Sequence, residues 1–476
     1  MAHDELDRPK DARKDREHSI PKGEIKRSFA LGVFSGAAFR FAETLIDPPL
    51  VLTWFVSQLT SSNLLIGLVT PLGNAGWSLP QIFVSPYLQR MERKMPSYTL
   101  AAVVRTTAWL FLAATVWLVD DLRLLLVGFF LLYSVARIAS GPAGLAFFDI
   151  LAKTIPAHRR GSFFAWRQFL GSLLGLGGGW IVKMVLNHPS LPFPHGHALL
   201  FLFYCMTMIP TLTAIVLIRE PPGTAIAETV TLKEQLRRAG KLLGENLTFR
   251  HYIASYAAIG LASIALPFYG IYAKDVLGAP EGTVGIYVAT RVAALLLFNL
   301  PWGRLSDRRG NRLVMQLANL GNGTTALLAL TLVGLMELLQ LRQGTVVSGA
   351  TGLAELLPKG WLPYLALPLF FLDGAMRPAQ ILVGSNFLLE LTPEAERPLY
   401  LGLSNTLMGI VVLISGLGGL IVDFLGFAGL FALSLGLYLA GYALATRLPE
   451  PRERNQSTSV ARASACMGSE QRGPGA

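Results

Sequence analysis

Three ionisable residues, Arg40, Glu43 and Asp47, stand three and four positions apart inside an apolar run that covers residues 29–58. That spacing stacks them along one face of a helix. Glu43 falls near the centre of the run, where a carboxylate has two uses: it can take up and release a proton, or it can neutralise an arginine. Asp47 precedes Pro48-Pro49, a pair that must break or kink the helix. Other apolar runs repeat the theme with Arg137, with Arg291, and with Asp373 and Arg377 one turn apart. On insertion scales a charge at mid-depth in hydrocarbon costs at least about 2.5–3.5 kcal/mol, so each of these groups asks for a use. Pairing within one helix, Arg40 with Glu43 and Asp373 with Arg377, is the plain structural alternative. Arg105, Arg167 and Arg291 sit less centrally in their runs than Arg137.

The elements that carry these charges are long and greasy. Of 476 residues, 52% are hydrophobic and only 15% charged, and the mean hydropathy is +0.47, too high for a soluble chain of this length. Crossing about 30 Å of hydrocarbon takes roughly 20 residues. Runs of that kind occur near 29–58, 63–88, 97–119, 122–152, 162–187, 197–218, 250–274, 282–303, 312–337, 361–390, 398–425 and 427–447, which predicts twelve spans. Only Cys205 and Cys466 are present, one in a span and one in the polar tail, so no disulfide is expected.

The net charge of +11 is a topology signal rather than a sign of nucleic-acid binding. With twelve spans, thirty lysines and arginines fall on the side of the two termini and five on the other, which predicts that both termini are cytoplasmic. We call the richer face the basic side. The first 27 residues lack a long apolar core, so no cleaved signal peptide is expected.

Four of those basic residues lie in Gly303-Arg304-Leu305-Ser306-Asp307-Arg308-Arg309-Gly310-Asn311-Arg312, a tight polar turn between two spans. The segment resembles the loop signature of the major facilitator superfamily, G-x-L-x-D-R-x-G-R-[KR]. The matches are Gly303, Leu305, Asp307, Arg308, Gly310 and Arg312, with Asn311 where that family usually has arginine. In the first half the corresponding stretch keeps charge at Arg90, Glu92, Arg93 and Lys94 but lacks the turn glycine and the aspartate. A weak repeat supports two halves: Leu176-Gly177-Gly178-Gly179-Trp180-Ile181-Val182 parallels Leu417-Gly418-Gly419-Leu420-Ile421-Val422, and Pro142-Ala143 parallels Pro378-Ala379.

The resemblance implies an all-α integral membrane protein of twelve transmembrane helices in two six-helix halves, residues 28–219 and 250–447. They are joined by a linker at 220–249 and flanked by polar tails at 1–27 and 448–476. Within the linker, Leu232, Leu236, Leu242 and Leu243 fall near one helical face, as in an amphipathic helix lying on the membrane or solvated beside it. The family's activity would be secondary active transport of a small organic solute by alternating access, with Asp307 in a conformational gate. Spans one, four, seven and ten line the central cavity in that fold, which would make Arg40, Glu43, Asp47, Arg137, Asp373 and Arg377 the solute or proton pathway, with Arg291 beside it. Two other readings share the features: a lipid flippase of the same fold, and a membrane-embedded transferase. The latter needs a His, Asp, Ser or Cys cluster at one membrane face, and the seven histidines are scattered.

The expected partners are a small-molecule solute, membrane lipids and, under proton coupling, protons. A monomer in the plasma membrane is expected, without nucleic acid or cofactor. His188, His195 and His197 share one loop at 187–197, but no clustered carboxylate or thiol joins them, which argues against a metal site. No phosphate-binding glycine loop or dinucleotide fingerprint is present, so direct use of nucleotide energy is not expected.

Overall fold

A computed structural model of the chain describes residues 21–223, 232–344, 359–388, 392 and 397–448. All regular elements among the described residues are helical. Helix α1 spans Lys22–Leu45 and stops at Asp47, whose carboxylate accepts the Leu50 amide at 3.2 Å and starts a π-helical turn, Pro48–Leu52. Neither proline offers an N–H, so the break falls where the sequence places it. The first span finishes as α2, Thr53–Leu59.

The chain continues as α3 Asn63–Ser78, α4 Pro80–Gln89, α5 Met95–Leu118, α6 Leu122–Thr154, α7 Ala157–Leu186 and α8 His195–Val216. A short helix α9, Leu232–Glu245, leads into α10 Leu247–Ala262, α11 Leu266–Asp275, α12 Thr283–Arg309 and α13 Asn311–Gly344. Helices α14 Leu367–Leu382, α15 Arg397–Ile414 and α16 Gly418–Thr446 follow. Asp121 caps α6 by accepting the Arg123 and Leu124 amides, and Asn246 caps α10 by accepting that of Phe249.

Among the described residues, nine helical segments are long and apolar enough to cross a membrane. One of them, Leu403–Thr446, is long enough for two crossings, and Gly426 at φ +69° marks the turn between them. That is the break expected between residues 425 and 427. Spans two and ten are present as interrupted helices: α3 and α4 meet at Leu79 before Pro80, and α14 is flanked by a 3-10 turn and a π-helical turn. Large apolar side chains point outward along these helices, with Phe424 83%, Leu118 76% and Phe83 70% exposed. In water such a surface would aggregate, and in a bilayer it is the lipid-facing wall.

The chain divides into two compact units, one of Met1–Val230 with Gly270–Ala293, the other of Thr231–Tyr269 with Ala294–Ala476. The first therefore includes the end of α11 and the start of α12. Its centre is aromatic: Trp109 lies 5.0 Å from Tyr204 and 5.2 Å from Phe201, while Phe129 stacks on Tyr133 at 5.2 Å. The second unit has its own core around Phe249, Tyr252, Phe387 and Tyr400, and Leu242 and Leu243 of α9 pack against it. The linker helix thus turns part of its apolar face to protein. Between the spans expected at 312–337 and 361–390, helix α13 runs on to Gly344 and residues 345–358 lie outside the described residues, as do the tails before residue 21 and after residue 448.

Candidate functional site

In the first unit the charged face of the first span meets two arginines from distant helices. Glu43 Oε2 lies 3.4 Å from Arg137 Nη1, and Arg137 Nε donates to the carbonyl of Gly73 at 3.0 Å. The two side chains are 23% and 13% exposed, so the pair is largely withdrawn from solvent. Glycines on α3 make room for it. A Cβ on Gly73 would fall 2.1 Å from Tyr133 Oη, and one on Gly76 would fall 2.9 Å from Arg137 Cβ. One turn along, Arg291 Nη1 donates to both Asp47 oxygens, at 3.0 and 2.8 Å. Arg291 is thus brought into direct contact with the broken end of α1, a partnership across 244 positions that no local spacing reveals.

The second unit holds a separate polar pocket. Asp373 and Arg377 of α14 line it with Asn322 and the buried Tyr269 and Tyr438, and Gln380 donates to Asn322 Oδ1 at 3.1 Å. Trp302 Nε1 donates to the Ala375 carbonyl at 2.7 Å and fixes the turn that carries Asp373. A carboxylate, a guanidinium, two amides and two phenols offer donors and acceptors to a hydroxylated or zwitterionic small molecule.

In the arginine-rich turn, α12 runs to Arg309, Gly310 takes φ +82°, and its amide donates to the Ser306 carbonyl at 3.1 Å. This is the left-handed helix ending that favours glycine. Asn311, the departure from the family pattern, is fully buried and accepts the Ser306 hydroxyl at 2.7 Å, a place where a charged arginine would be costly. Arg312 donates to the Thr446 carbonyl at 2.7 Å, tying the turn to the end of α16. Asp307 and Arg308 are exposed, and a Cβ on Gly303 would meet nothing within 4 Å, so close helix approach is not what Gly303 provides.

Residues 251–470 match the family model of the Major Facilitator Superfamily. The whole-chain fold agrees. A D-xylose–proton symporter superposes with a TM-score of 0.66 at 15% identity, covering 90% of this chain and 98% of that one. A nucleoside transporter gives 0.62 at 12%, covering 89% and 98%. The second half of the chain is thus similar to the major facilitator superfamily, and the whole chain has the fold of these transporters. A bacterial homologue of the iron transporter ferroportin in its outward-facing state also superposes, with a TM-score of 0.56 at 16% identity, over 88% of this chain and 98% of that one. No curated protein sequence matches. The chain is a multi-pass integral membrane protein.

Sequence reasoning missed one buried carboxylate. Glu220, just past α8, accepts the amides of Lys94 and Met95 at the start of α5, each at 2.8 Å, and Lys153 donates to it at 2.8 Å. Lys153 also pairs with Asp149 at 2.8 Å. The start of α5 thus draws its anionic cap from a residue 125 positions later, in the half where the turn aspartate is missing. The Lys94 ammonium donates to the Leu88 and Met91 carbonyls, and burial lowers its pKa from the ordinary lysine value. The signal available in sequence was Glu220 standing beside Pro221-Pro222 in a basic segment.

At the other membrane face, Lys274 donates to Ser57 O and Oγ at 3.0 and 2.8 Å, and Glu281 Oε1 lies 3.2 Å from Nδ1 of the fully buried His197. Burial raises the Glu281 pKa above the ordinary glutamate value, opposed by a hydrogen bond from Gln58 and by the charge of Lys274. His195 packs edge-on against Trp117 instead of joining His197. Among the described residues no three His, Cys, Asp or Glu side chains group as metal ligands.

Proposed function

We propose that this chain is a secondary active transporter of the major facilitator superfamily that moves a small organic solute by alternating access, and that Glu43 carries the coupled proton. The observation that carries the reading is the Glu43–Arg137 contact, an ion pair between two different helices at mid-span. At 3.4 Å it is longer than a tight charge-assisted bond of about 2.7–2.9 Å. Protonation releases Arg137 from its anion, and deprotonation restores the pair. The pocket at Asp373 and Arg377 within the second unit binds solute, and the turn at Asp307–Arg312 belongs to the conformational gate. The two halves run over residues 28–219 and 250–447, with both termini on the cytoplasmic side of the plasma membrane.

The test is uptake into proteoliposomes, with the solute chosen by its thermal stabilisation of the purified protein. Wild type is expected to accumulate that solute when a pH gradient is imposed. Glu43→Gln is expected to keep solute exchange but lose gradient-driven accumulation. Unchanged accumulation in Glu43→Gln removes Glu43 from proton coupling.

A further inference from the structure

The first unit contains buried cationic groups that the Glu43 and Asp47 pairs do not use. Arg105 lies ten positions into α5, and Arg167 ten positions into α7. Both helices start on the basic side, so at 1.5 Å per residue the two arginines lie in one layer, about 15 Å in. Arg105 is 6% exposed, and its Nε is buried with no hydrogen-bond partner. Its Nη2 reaches only Met208 Sδ, at 3.6 Å, and its guanidinium lies over the Phe39 ring at 5.4 Å. Arg167 Nη1 is likewise buried without a partner, and its guanidinium lies over the Phe147 ring at 4.3 Å. Among the described residues, no carboxylate pairs with either.

Two glycines build this layer. A Cβ on Gly36 would fall 2.0 Å from Arg167 Cγ, and a Cβ on Gly171 would fall 2.7 Å from Arg40 Cβ. Each arginine stem therefore crosses the other helix at a glycine four residues from that helix's own arginine. The exchange holds Arg40 and Arg167 on one seam, each within electrostatic reach of the other, and the buried Tyr98 lies in the field of both Arg105 and Arg167. The like charges of Arg40 and Arg167 repel one another, and the buried Arg105 forgoes hydration. Aromatic faces offset part of that cost but leave N–H donors unsatisfied. An oxyanion satisfies both needs, because a guanidinium presents a planar fork that matches carboxylate and phosphate oxygens.

We infer that Arg105 and Arg167, with Arg40 beside them, form a binding site for an anionic group, a carboxylate or a phosphate, within the first unit. This goes beyond the transport reading and stands or falls by binding alone. A soluble anion and an anionic lipid headgroup share the chemistry, and the experiment separates them.

The full chain in nanodiscs of phosphatidylcholine is melted with inorganic phosphate, with acetate, or with sodium chloride at equal ionic strength. A second set of nanodiscs contains phosphatidylglycerol. Stabilisation by phosphate or acetate beyond that by chloride assigns the site to a soluble anion. Stabilisation confined to phosphatidylglycerol assigns it to a headgroup. In either case Arg105→Gln and Arg167→Gln are expected to weaken the effect about ten-fold or more, as befits loss of a charge-assisted hydrogen bond. Should a glutamine variant not fold, Arg105→Lys and Arg167→Lys keep the charge and are expected to bind, but more weakly than wild type for want of the fork. Absence of stabilisation by all three probes, or equal stabilisation of wild type and the arginine variants, overturns the inference.

Discussion

Arg137→Gln is expected to destabilise the first unit by about 3 kcal/mol or more, the loss seen when one partner of a buried ion pair is removed. Two consequences of the geometry set that size. The substitution leaves the Glu43 carboxylate, 23% exposed, without its cation, and it deprives the Gly73 carbonyl of its 3.0 Å donor. The double variant Glu43→Gln, Arg137→Gln removes both charges at once. It is expected to melt well above Arg137→Gln alone, because the cost of a stranded charge disappears while the packing of Tyr133 against Gly73 is kept. Thermal melting of the purified variants checks this. A double variant that melts no higher than Arg137→Gln would show that the two side chains do not act as a pair.

The second large effect is expected at Arg291. Its two contacts to Asp47, at 2.8 and 3.0 Å, are shorter than the Glu43–Arg137 contact, and the side chains are 11% and 19% exposed. Arg291→Gln leaves Asp47 charged beside a break whose two prolines donate nothing, with the Leu50 amide at 3.2 Å as a remaining donor. A loss of about 3–5 kcal/mol is expected. It is also expected to be local. The pair ties α12 to the end of α1, so hydrogen exchange should quicken over residues 270–293 and leave α13 and α16 as they are. Arg291→Lys keeps the charge and is expected to fall between wild type and glutamine. Uniform acceleration across the whole chain would contradict this assignment.

Much of the fold could be read from the sequence, because membrane helices announce themselves by length and their ends by chemistry. Asp47-Pro48-Pro49 had to end a helix, and the π-helical turn begins there. Gly310 and Gly426 had to be turns, and both adopt positive φ. The site was legible only in part. Spacing put Arg40, Glu43 and Asp47 on one face but could not say which neighbour each would meet. Glu43 is joined to a residue 94 positions away and Asp47 to one 244 positions away. Arg105 and Arg167 looked peripheral in their own runs, since nothing local shows that Gly36 of α1 admits the Arg167 stem or that Phe39 lies under the Arg105 guanidinium. Glu220 was hidden for the same reason: its hydrogen bonds replace a turn aspartate in another loop, and only the folded chain brings the two together.

The claim at the centre of this account is that the chain carries a solute across the membrane, and counterflow measures it most directly. Liposomes containing the wild-type protein are loaded with an unlabelled solute that raises its melting temperature, then diluted into a trace of the labelled form. Transient accumulation of label above its equilibrium level, absent from protein-free liposomes and weakened by Asp373→Asn, is the predicted result. Label that enters no faster than into protein-free liposomes, for every stabilising solute tried, contradicts the account.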